Sequence, residues 1–488
     1  MWQDLKNIYH LFVAVLANVW YGFPSRKLII IGVTGTDGKT TTVNAIFHIL
    51  KTAGLDVSMI STTGAVINGK DYDVGFHVTT PSSWAIQKFL KQAIIGKSSS
   101  RLSHVANDAR QPLNDNHDLN SSSLNERQSL KFNNNSDVKT GSAFSSFASE
   151  KSPVAFKSNR YMVLELTSHA LHQYRDWGIN YKIGVLTNIT NEHLDYHKTY
   201  ESYLEAKSKL LKRAKIAIIN RDDRSYALLS SKFKVQSSKL LTYGLKNKAD
   251  FSIEDLPLGL NLAEFNKYNL LAAISTCKLL GVEDEDIRKG AKSFIPPLGR
   301  LQTVYHKDFD VMIDFAHTPN AFEQLFPSIK SSVKGKIIHV FGSAGERDSK
   351  KRPQMGKISS EYADVVILTA EDPRSESIDE INKQIISGIK KDIRIFRYAE
   401  FNSASQKILK PFGLAQGGQV QDDNERKYLI EIPDRQEAIN VAIKMAKKGD
   451  LVLLTGKAHE KSMNYGKGEI AWSEHESVKN ALKINGLR

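Results

Sequence analysis

The sequence predicts an α/β fold with two separate parallel sheets. Short runs rich in β-branched residues alternate with helical patterns along most of the 488 residues. These runs are continuously apolar, as expected for parallel strands that are covered by helices on both faces. The eight strands predicted in this way span residues 27–33, 162–166, 183–186, 216–219, 311–313, 337–341, 365–368 and 451–454.

The order of the predicted elements divides the chain in two. A complete series of strands and helices precedes Pro296 and Pro297, and a fresh series begins at Val311. The expected units are a short N-terminal helix within 1–26, a central domain over 27–296 and a C-terminal domain over 297–488. Residues 97–159 and 413–427 are polar and lack periodicity, so they are predicted to be disordered insertions without a chemical role.

The composition restricts the class of function. Cys277 is the only cysteine, which excludes a disulfide framework and a cysteine-cluster metal site and indicates a reducing, cytoplasmic setting. The formal charge of +14 favours acidic partners. Because the lysines are spread along the chain, we expect small acidic molecules and not nucleic acid. We also expect a monomer.

One apolar run near the N-terminus, residues 11–21, raises the question of a membrane. It is shorter than the ~20 residues that a spanning helix needs, and no small-residue cleavage site follows it. We expect a helix that docks on the central domain, with contact to a membrane interface as the alternative.

A glycine-containing loop follows the first predicted strand. Residues 31–41 read IGVTGTDGKTT and open an amphipathic helix that ends near Gly54. Glycines let backbone N–H groups approach phosphate oxygens, and a helix N-terminus favours negative charge. Lys39 would contact the β- and γ-phosphates of ATP, and the Thr40 hydroxyl would bind Mg²⁺. The predicted nucleotide-binding residues here are Gly35, Thr36, Asp37, Gly38, Lys39, Thr40 and Thr41.

Polar residues also follow other predicted strands. Glu165 ends a buried strand, where a carboxylate is costly unless it is paired or coordinates a cation. His193 could ligate a metal, although a single histidine is more often a structural hydrogen-bonding residue. Lys207 lies on a predicted helix, where a solvated side chain is the ordinary case, and Asp314 closes the first strand of the second domain.

In order and spacing these patches resemble the Mur ligase family, most closely its UDP-N-acetylmuramyl-tripeptide synthetases. The shorter GTxGKT loop, with Val33 where the general phosphate loop has glycine, is typical of that family, and similar patches continue to the C-terminus. The resemblance implies a P-loop-type central domain and a Rossmann-like C-terminal domain. It implies that Glu165 and His193 hold a second Mg²⁺ and that Lys207 is carbamylated, which makes these three and Lys39 the catalytic set. Further nucleotide contacts are implied for Asn269, Arg300 and Asp314.

The resemblance also implies an ATP-dependent, ADP-forming ligase of peptidoglycan precursor synthesis. UDP-MurNAc-L-Ala-D-Glu would form an acyl phosphate with ATP, and the amine of diaminopimelate or lysine would then attack it. The implied carboxylate-side residues are Thr79, Thr80, Thr167, Gln173 and Arg175. The implied amine-side residues are Arg347, Glu371, Asp372, Arg374, Gly456 and Glu460. The charges of Glu371 and Asp372 suit a cationic amine, and Arg374 suits an amino-acid carboxylate.

Two alternatives remain open at this point. The family has a uridine-binding domain before the phosphate loop, whereas only about 26 residues precede the first strand here. The first alternative is therefore a Mur-type ligase for a non-UDP carboxylate, such as a folate, poly-γ-glutamyl or tetrapyrrole acid. The second is an inactive nucleotide-binding scaffold, against which the presence of Lys39, Glu165 and Lys207 together argues.

Overall fold

The computed structural model describes residues 2–75, 79–95, 160–233, 239–260, 262–389, 393–397 and 427–487. The predicted insertions over 97–159 and 413–427 lie outside the described residues, apart from Lys427. Within the described ranges, the longest and most apolar helices still fall short of what is needed to cross a membrane.

The first sheet has eight strands in the order β4-β3-β2-β5-β1-β6-β7-β8. Its strands are β1 (Ile29–Thr34), β2 (Asp56–Ser61), β3 (Gly64–Ile67), β4 (Lys70–Tyr72), β5 (Arg160–Glu165), β6 (Tyr181–Leu186), β7 (Ile216–Asn220) and β8 (Lys239–Tyr243). The six strands from β2 to β8 in this order are parallel, and β3 and β4 add an antiparallel hairpin at one edge.

Helices cover both faces of this sheet. They are α1 (Trp2–Tyr21), α2 (Lys39–Thr52), α3 (Ser83–Ile95), α4 (Ser168–His172), α5 (Leu194–His197), α6 (Tyr200–Arg213), α7 (Tyr226–Phe233), α8 (Glu264–Leu279) and α9 (Asp284–Ser293). Neighbouring residues of β1 enter different cores: Ile31 packs with Ile46 of α2, and Ile30 packs with Leu90 of α3. The strands are continuously apolar because both of their faces are buried.

The second sheet has seven strands in the order β13-β14-β12-β11-β15-β10-β9. They are β9 (Gln302–His306), β10 (Asp310–Asp314), β11 (Ile337–Phe341), β12 (Val365–Leu368), β13 (Arg394–Arg397), β14 (Tyr428–Glu431) and β15 (Leu451–Thr455). Only β9, at one edge, runs antiparallel among these described strands. The helices are α10 (Pro319–Lys330), α11 (Lys351–Tyr362), α12 (Ile378–Ile386), α13 (Arg435–Met445) and α14 (Glu474–Ile484), and β16 (Ser462–Asn464) pairs with β17 (Glu469–Ala471).

The predicted α/β class is confirmed, and each of the eight predicted strands is present with ends that differ by no more than about two residues. The strands that the sequence did not predict lie mainly toward the edges of the sheets, such as β3, β4, β8 and β9. These strands are short or alternate between buried and exposed residues, so they lack the continuous apolar signal.

A buried ion pair ties the last helices to the second sheet. Arg435 at the start of α13 and Glu474 at the start of α14 are both fully buried. Two hydrogen bonds join them, Nε to Oε2 at 3.0 Å and Nη2 to Oε1 at 2.5 Å. Arg435 also donates to the backbone carbonyl oxygens of Ala370 and Thr455. The guanidinium thus connects three segments of the C-terminal unit.

We predict that Arg435→Ala lowers the free energy of unfolding of the C-terminal unit by about 3–5 kcal/mol, because it leaves the Glu474 carboxylate buried without its counter-ion. Urea denaturation measures this change. The matched control is Lys479→Ala, which removes a solvent-exposed ion pair with Glu476 and should change stability by less than about 1 kcal/mol. Equal effects of the two substitutions would contradict the assignment.

Candidate functional site

The loop between β1 and α2 packs closely against neighbouring segments. Gly35 has φ +154° and Gly38 has φ +78°. A Cβ atom on Gly35 would lie 1.8 Å from Thr187 Oγ1, and one on Gly38 would lie 2.1 Å from Asn269 Oδ1. Glycine is therefore required at both positions, at Gly38 for its backbone conformation as well as for space.

Hydrogen bonds from the end of β6 hold this loop in shape. The N–H of Thr36 donates to the carbonyl oxygen of Asn188 at 2.8 Å, and the N–H of Asp37 donates to Asn188 Oδ1 at 2.9 Å. Thr187 Oγ1 in turn donates to the carbonyl oxygen of Asp37 at 2.6 Å. These hydrogen bonds, all within the protein, define the conformation of the loop.

Glu165 lies beside the first turn of α2 and is almost fully buried. Its Oε1 accepts from Thr40 Oγ1 at 3.0 Å and from Thr62 Oγ1 at 2.9 Å, and its Oε2 accepts from the Thr62 N–H at 2.9 Å. The predicted metal-binding hydroxyl and carboxylate are therefore neighbours. Such oxygen donors suit Mg²⁺, which takes its remaining ligands from water and phosphate. Within the described ranges no three His, Cys, Asp or Glu side chains form a complete metal site by themselves.

A carboxylate between two imidazoles lies at the mouth of the loop. Glu192 Oε2 is 3.7 Å from His193 Nε2, and Glu192 Oε1 is 3.5 Å from His317 Nε2. Burial alone would raise the pKa of Glu192, but His193, His317 and Lys39 hold it well below its ordinary value. Burial lowers the pKa of His193, so this imidazole is neutral near pH 7 and can offer a lone pair.

Lys207 on α6 is buried beneath the phosphate loop with 1% of its surface exposed. Its Nζ donates to the carbonyl oxygen of Gly35 and lies 4.5 Å from the centre of the Tyr203 ring. Burial, together with the nearby charge of Lys39, lowers the pKa of Lys207 well below its ordinary value. A lysine in this setting is neutral more often than a solvated one and is correspondingly nucleophilic.

The two sheets meet over the phosphate loop. Asn320 at the start of α10 donates to Asp37 Oδ2 at 2.6 Å. The Arg300 guanidinium lies 4.8 Å from the centre of the Phe315 ring, with Nη2 3.4 Å from Thr40 Oγ1. The second unit thereby contributes a cation and an amide to the loop of the first.

Asp314 occupies the end of β10 at this junction. Its Oδ2 accepts from the N–H of Leu301 and its Oδ1 accepts from the N–H of Ala316, both at 2.7 Å. Burial raises the pKa of this carboxyl, with Arg300 acting in the opposite direction. The carboxylate fixes the segment that carries Arg300 and still has lone pairs for a ligand hydroxyl.

A cavity of about 560 Å³ lies between the units and brings most of the predicted residues together. Those that line it are Thr36, Asp37, Gly38, Lys39, Thr40, Thr41, Thr79, Thr80, Glu165, Thr167, Arg175, His193, Asn269, Arg300, Asp314, Arg347, Glu371, Asp372, Arg374, Gly456 and Glu460. Gly35, Gln173 and Lys207 do not line it. Lys207 lies behind the loop, where its ammonium donates to the carbonyl oxygen of Gly35. Gln173 accepts from Arg175 Nε at 2.9 Å and so orients that guanidinium.

The residues predicted to bind the amine differ from the sequence-based expectation in one respect. Both carboxylate oxygens of Asp372 accept from buried Lys457, at 2.9 and 3.0 Å, and the same ammonium lies 2.5 Å from Glu460. The expected negative charge of Asp372 is therefore compensated inside the protein. The sequence could not indicate this because Lys457 is 85 residues away.

Glu371 keeps a carboxylate oxygen available at this end of the cavity. It is 7% exposed, and among the described residues its Oε2 has no hydrogen-bond partner. Gly456 leaves the space in front of it, since a Cβ there would lie 2.3 Å from that oxygen. Burial raises the pKa of Glu371 to about 7, against the lowering effects of Lys351 and His317.

Three charged residues of the cavity, Glu192, His317 and Lys351, were not assigned a role from the sequence. Asn320, which contacts the loop from α10, was not assigned a role either. Glu192 adjoins His193 and His317 lies three residues after Asp314, so nearness to a predicted site residue was the available signal. Their pairing across the two units depends on tertiary structure.

A second cavity, of about 720 Å³, adjoins the first at the phosphate loop. Both cavities share Asp37, Gly38 and Asn269. Tyr268 and Asn188 line the second cavity, which has both polar and apolar surface. The loop thus lies between two connected spaces, one of which contains the charged groups described above.

Comparison with known proteins agrees with this geometry. The Mur ligase middle domain matches residues 33–99 and 122–281, and the Mur ligase glutamate ligase domain matches residues 299–458. The UDP-N-acetylmuramoyl-L-alanyl-D-glutamate–2,6-diaminopimelate ligase 1 of Clostridium acetobutylicum is 31% identical over 96% of this chain and 81% of its own length. The UDP-N-acetylmuramyl-tripeptide synthetase of Borreliella burgdorferi is 32% identical over 96% of this chain and 80% of its own length.

Solved structures share the fold at lower identity. MurF from Acinetobacter baumannii has a TM-score of 0.57 and 13% identity, over 96% of this chain and 79% of that one. A bifunctional folylpolyglutamate synthase/dihydrofolate synthase has a TM-score of 0.57 and 15% identity, over 98% of this chain and 94% of that one. The domain matches cover most of the chain and the curated relatives align over nearly all of it. The chain therefore belongs to the Mur ligase family of ATP-dependent amide-bond ligases.

Proposed function

We propose that this chain joins UDP-MurNAc-L-Ala-D-Glu to the amine of an amino acid, in peptidoglycan precursor synthesis. The observation that carries the proposal is the cavity in which the phosphate loop, Arg175 on the carboxylate side and Glu371 on the amine side open into one space. The names of the relatives support the choice of substrates.

The phosphate end of the cavity suits transfer of the γ-phosphoryl group from ATP. Lys39 Nζ donates to the carbonyl oxygen of Thr36 at 2.7 Å, so its charge is held over the loop. Arg300 adds a second cation from the other unit. The substrate carboxylate attacks the γ-phosphorus and ADP leaves, and the two cations stabilise the charge on the transferring group. The nucleoside would extend into the adjoining cavity past Asn269.

Mg²⁺ fits the residues around the loop. Thr40 and Glu165 would hold Mg²⁺ through their oxygens, with the His193 imidazole as a further ligand. Bound Mg²⁺ supplies charge neutralisation to the phosphoryl oxygens. Thr62 binds both carboxylate oxygens of Glu165 and thereby sets the direction of that side chain.

The acyl phosphate then reacts with the amine. The amine nitrogen forms a bond to the acyl carbon, and phosphate leaves as the tetrahedral intermediate collapses. Glu371 would hold a cationic group of the incoming amino acid. Arg347 and Arg374, whose charges act on each other, would bind its carboxylates. Two guanidiniums suit diaminopimelate, which has two carboxylates, better than lysine, which has one.

Carbamylation of Lys207 belongs to the same proposal. The neutral amine of Lys207 would react with carbon dioxide to give a carbamate anion and a proton, and the anion would lie near the charge of Lys39. That change would remove the repulsion between Lys207 and Lys39, which contributes to the lowered pKa of Lys207. The anion would also support the Mg²⁺ ligands on the other side of the loop.

The direct test measures phosphate release with ATP, Mg²⁺ and UDP-MurNAc-L-Ala-D-Glu, with diaminopimelate, lysine or no amine. We expect release that depends on diaminopimelate. Lys39→Ala should lower the rate by about a hundredfold or more, whereas Lys51→Ala, at the exposed end of the same helix, should leave it unchanged. If protein that binds ATP releases no phosphate with any of the amines, the substrate assignment is wrong. A non-UDP carboxylate then becomes the better candidate.

A second test concerns the carbamate. Lys207→Ala should lose activity and recover part of it with a small carboxylic acid, because the acid replaces the missing anion. Lys212→Ala is the control, since that lysine lies on the same helix and pairs with Glu205. Full activity of Lys207→Ala without an additive would exclude the carbamate.

The pKa of Glu371 predicts a pH dependence. Below about pH 7 the carboxyl is protonated and neutral, and above it the carboxylate is charged. The KM for the amine should therefore fall as the pH rises from 6 to 8. Glu371→Gln should raise this KM about tenfold and remove its pH dependence while leaving the KM for ATP unchanged. An unaltered pH profile in Glu371→Gln would contradict this role.

A further inference from the structure

Helix α1 exposes seven large apolar side chains and buries Ala14 and Ala17, while Leu11, Val13 and Val15 are partly buried. Seven large apolar residues fall within an arc of about 120° on the helix, at about 100° per residue. Their exposed fractions run from 43% for Leu16 to 75% for Trp20. The seven are Leu5, Ile8, Tyr9, Phe12, Leu16, Val19 and Trp20. We call this stripe the apolar face of α1.

The opposite side of α1 is attached to the protein by specific contacts. Its buried residues include Asn7, Ala14, Ala17 and Asn18. Asn18 Nδ2 donates to the carbonyl oxygen of Trp177 at 2.7 Å and to that of Ala14 at 2.9 Å. These contacts fix the rotation of the helix. The apolar face therefore points away from the body of the protein.

The first turn of α1 is held in the same way. Gln3 Nε2 donates to Tyr196 Oη at 2.9 Å, and the same hydroxyl lies 3.5 Å from Gln173 Nε2. The helix is thus attached at its N-terminal end beside a residue that orients Arg175.

Helix α3 extends the apolar face and adds positive charge. The Trp84 ring lies 6.3 Å from the Trp20 ring and 5.9 Å from the Tyr21 ring. Trp84, Lys88 and Lys91 are exposed at positions i, i+4 and i+7, which share one side of α3. Ile95, four residues further on, is 69% exposed. Tryptophan and tyrosine beside lysine are typical of side chains at a membrane interface.

The charges of this surface have one predominant sign. Residues 2–27 and 79–95 contain five lysines and arginines but a single acidic residue, Asp4. The five are Lys6, Arg26, Lys27, Lys88 and Lys91. An isologous contact with a second copy would bring these positive charges together, which disfavours self-association. A surface with anionic headgroups satisfies both the charges and the apolar face.

We propose that α1 and Trp84 dock this protein on the surface of an anionic lipid bilayer. The helix lies in the plane of the interface, with its apolar face in the acyl boundary and the lysines of α3 at the headgroups. None of the described helices is suited to crossing the bilayer, so the attachment is peripheral and reversible. This inference does not depend on the identity of the ligase substrates.

The test is flotation of the full chain with vesicles of phosphatidylcholine alone or with about 30% phosphatidylglycerol. We expect binding to the anionic vesicles that weakens at high salt, accompanied by a blue shift of tryptophan fluorescence. F12Q/W20Q should lower the vesicle–water partition coefficient by more than about tenfold. The matched control L258Q/I484Q removes two exposed apolar side chains elsewhere, of 92% and 68% exposure, and should bind like the unmodified chain.

The charge contribution is tested separately. K88Q/K91Q should lower the partition coefficient about tenfold or more, whereas K289Q/K292Q removes two exposed lysines with the same spacing on α9 and should have little effect. Cooperative thermal unfolding of F12Q/W20Q, followed by circular dichroism, reports that the variant is folded.

Three outcomes would overturn the proposal. The chain could fail to float with anionic vesicles, or F12Q/W20Q could bind them as well as L258Q/I484Q does. In the third, size-exclusion chromatography would show an oligomer of the unmodified chain that dissociates in F12Q/W20Q, which would assign the apolar face to a second copy.

Discussion

The structure depends on how closely the phosphate loop packs against the end of β6 and against α8. Gly35 and Gly38 leave no room for a side chain next to Thr187 and Asn269. The loop amides are oriented by Asn188, a residue about 150 positions further along the chain. A loop whose shape is held by hydrogen bonds within the protein binds phosphate at a lower entropic cost than a flexible loop does. The parallel sheet is what brings these strand ends to one edge.

The second unit completes the site by bringing charge across a junction. Asp37 accepts from Asn320, and Glu192 lies between His193 and His317, so each carboxylate of the first unit has a partner from the second. Such pairs are costly to bury unless the geometry is good. Because these pairs need a residue from each unit, their formation depends on the relative position of the two units.

Helix α1 exposes apolar side chains where a surface helix ordinarily exposes polar ones. Contiguous apolar patches of this kind are rare on soluble monomers and mark contact surfaces. Because α1 is attached through Gln3 to Tyr196, next to Gln173 and Arg175, hydrogen bonds link this helix to the end of the cavity that we propose binds the carboxylate substrate. Membrane attachment would therefore bring that end of the cavity near the lipid surface without any contact to the reacting atoms.

The sequence by itself determined the α/β class, the eight principal strands and the phosphate loop, because continuous apolar runs and glycine spacing are local signals. It also identified most of the residues that line the cavity, through linear motifs and family resemblance. Only the tertiary structure decided their pairing: Lys457 compensates Asp372 across 85 residues, and Lys207 lies behind the loop and not in the cavity. The outward direction of the apolar face of α1 was likewise beyond the sequence. Periodicity shows that a helix has two faces, whereas the hydrogen bonds of Asn18 and Gln3 to distant residues decide which face is buried.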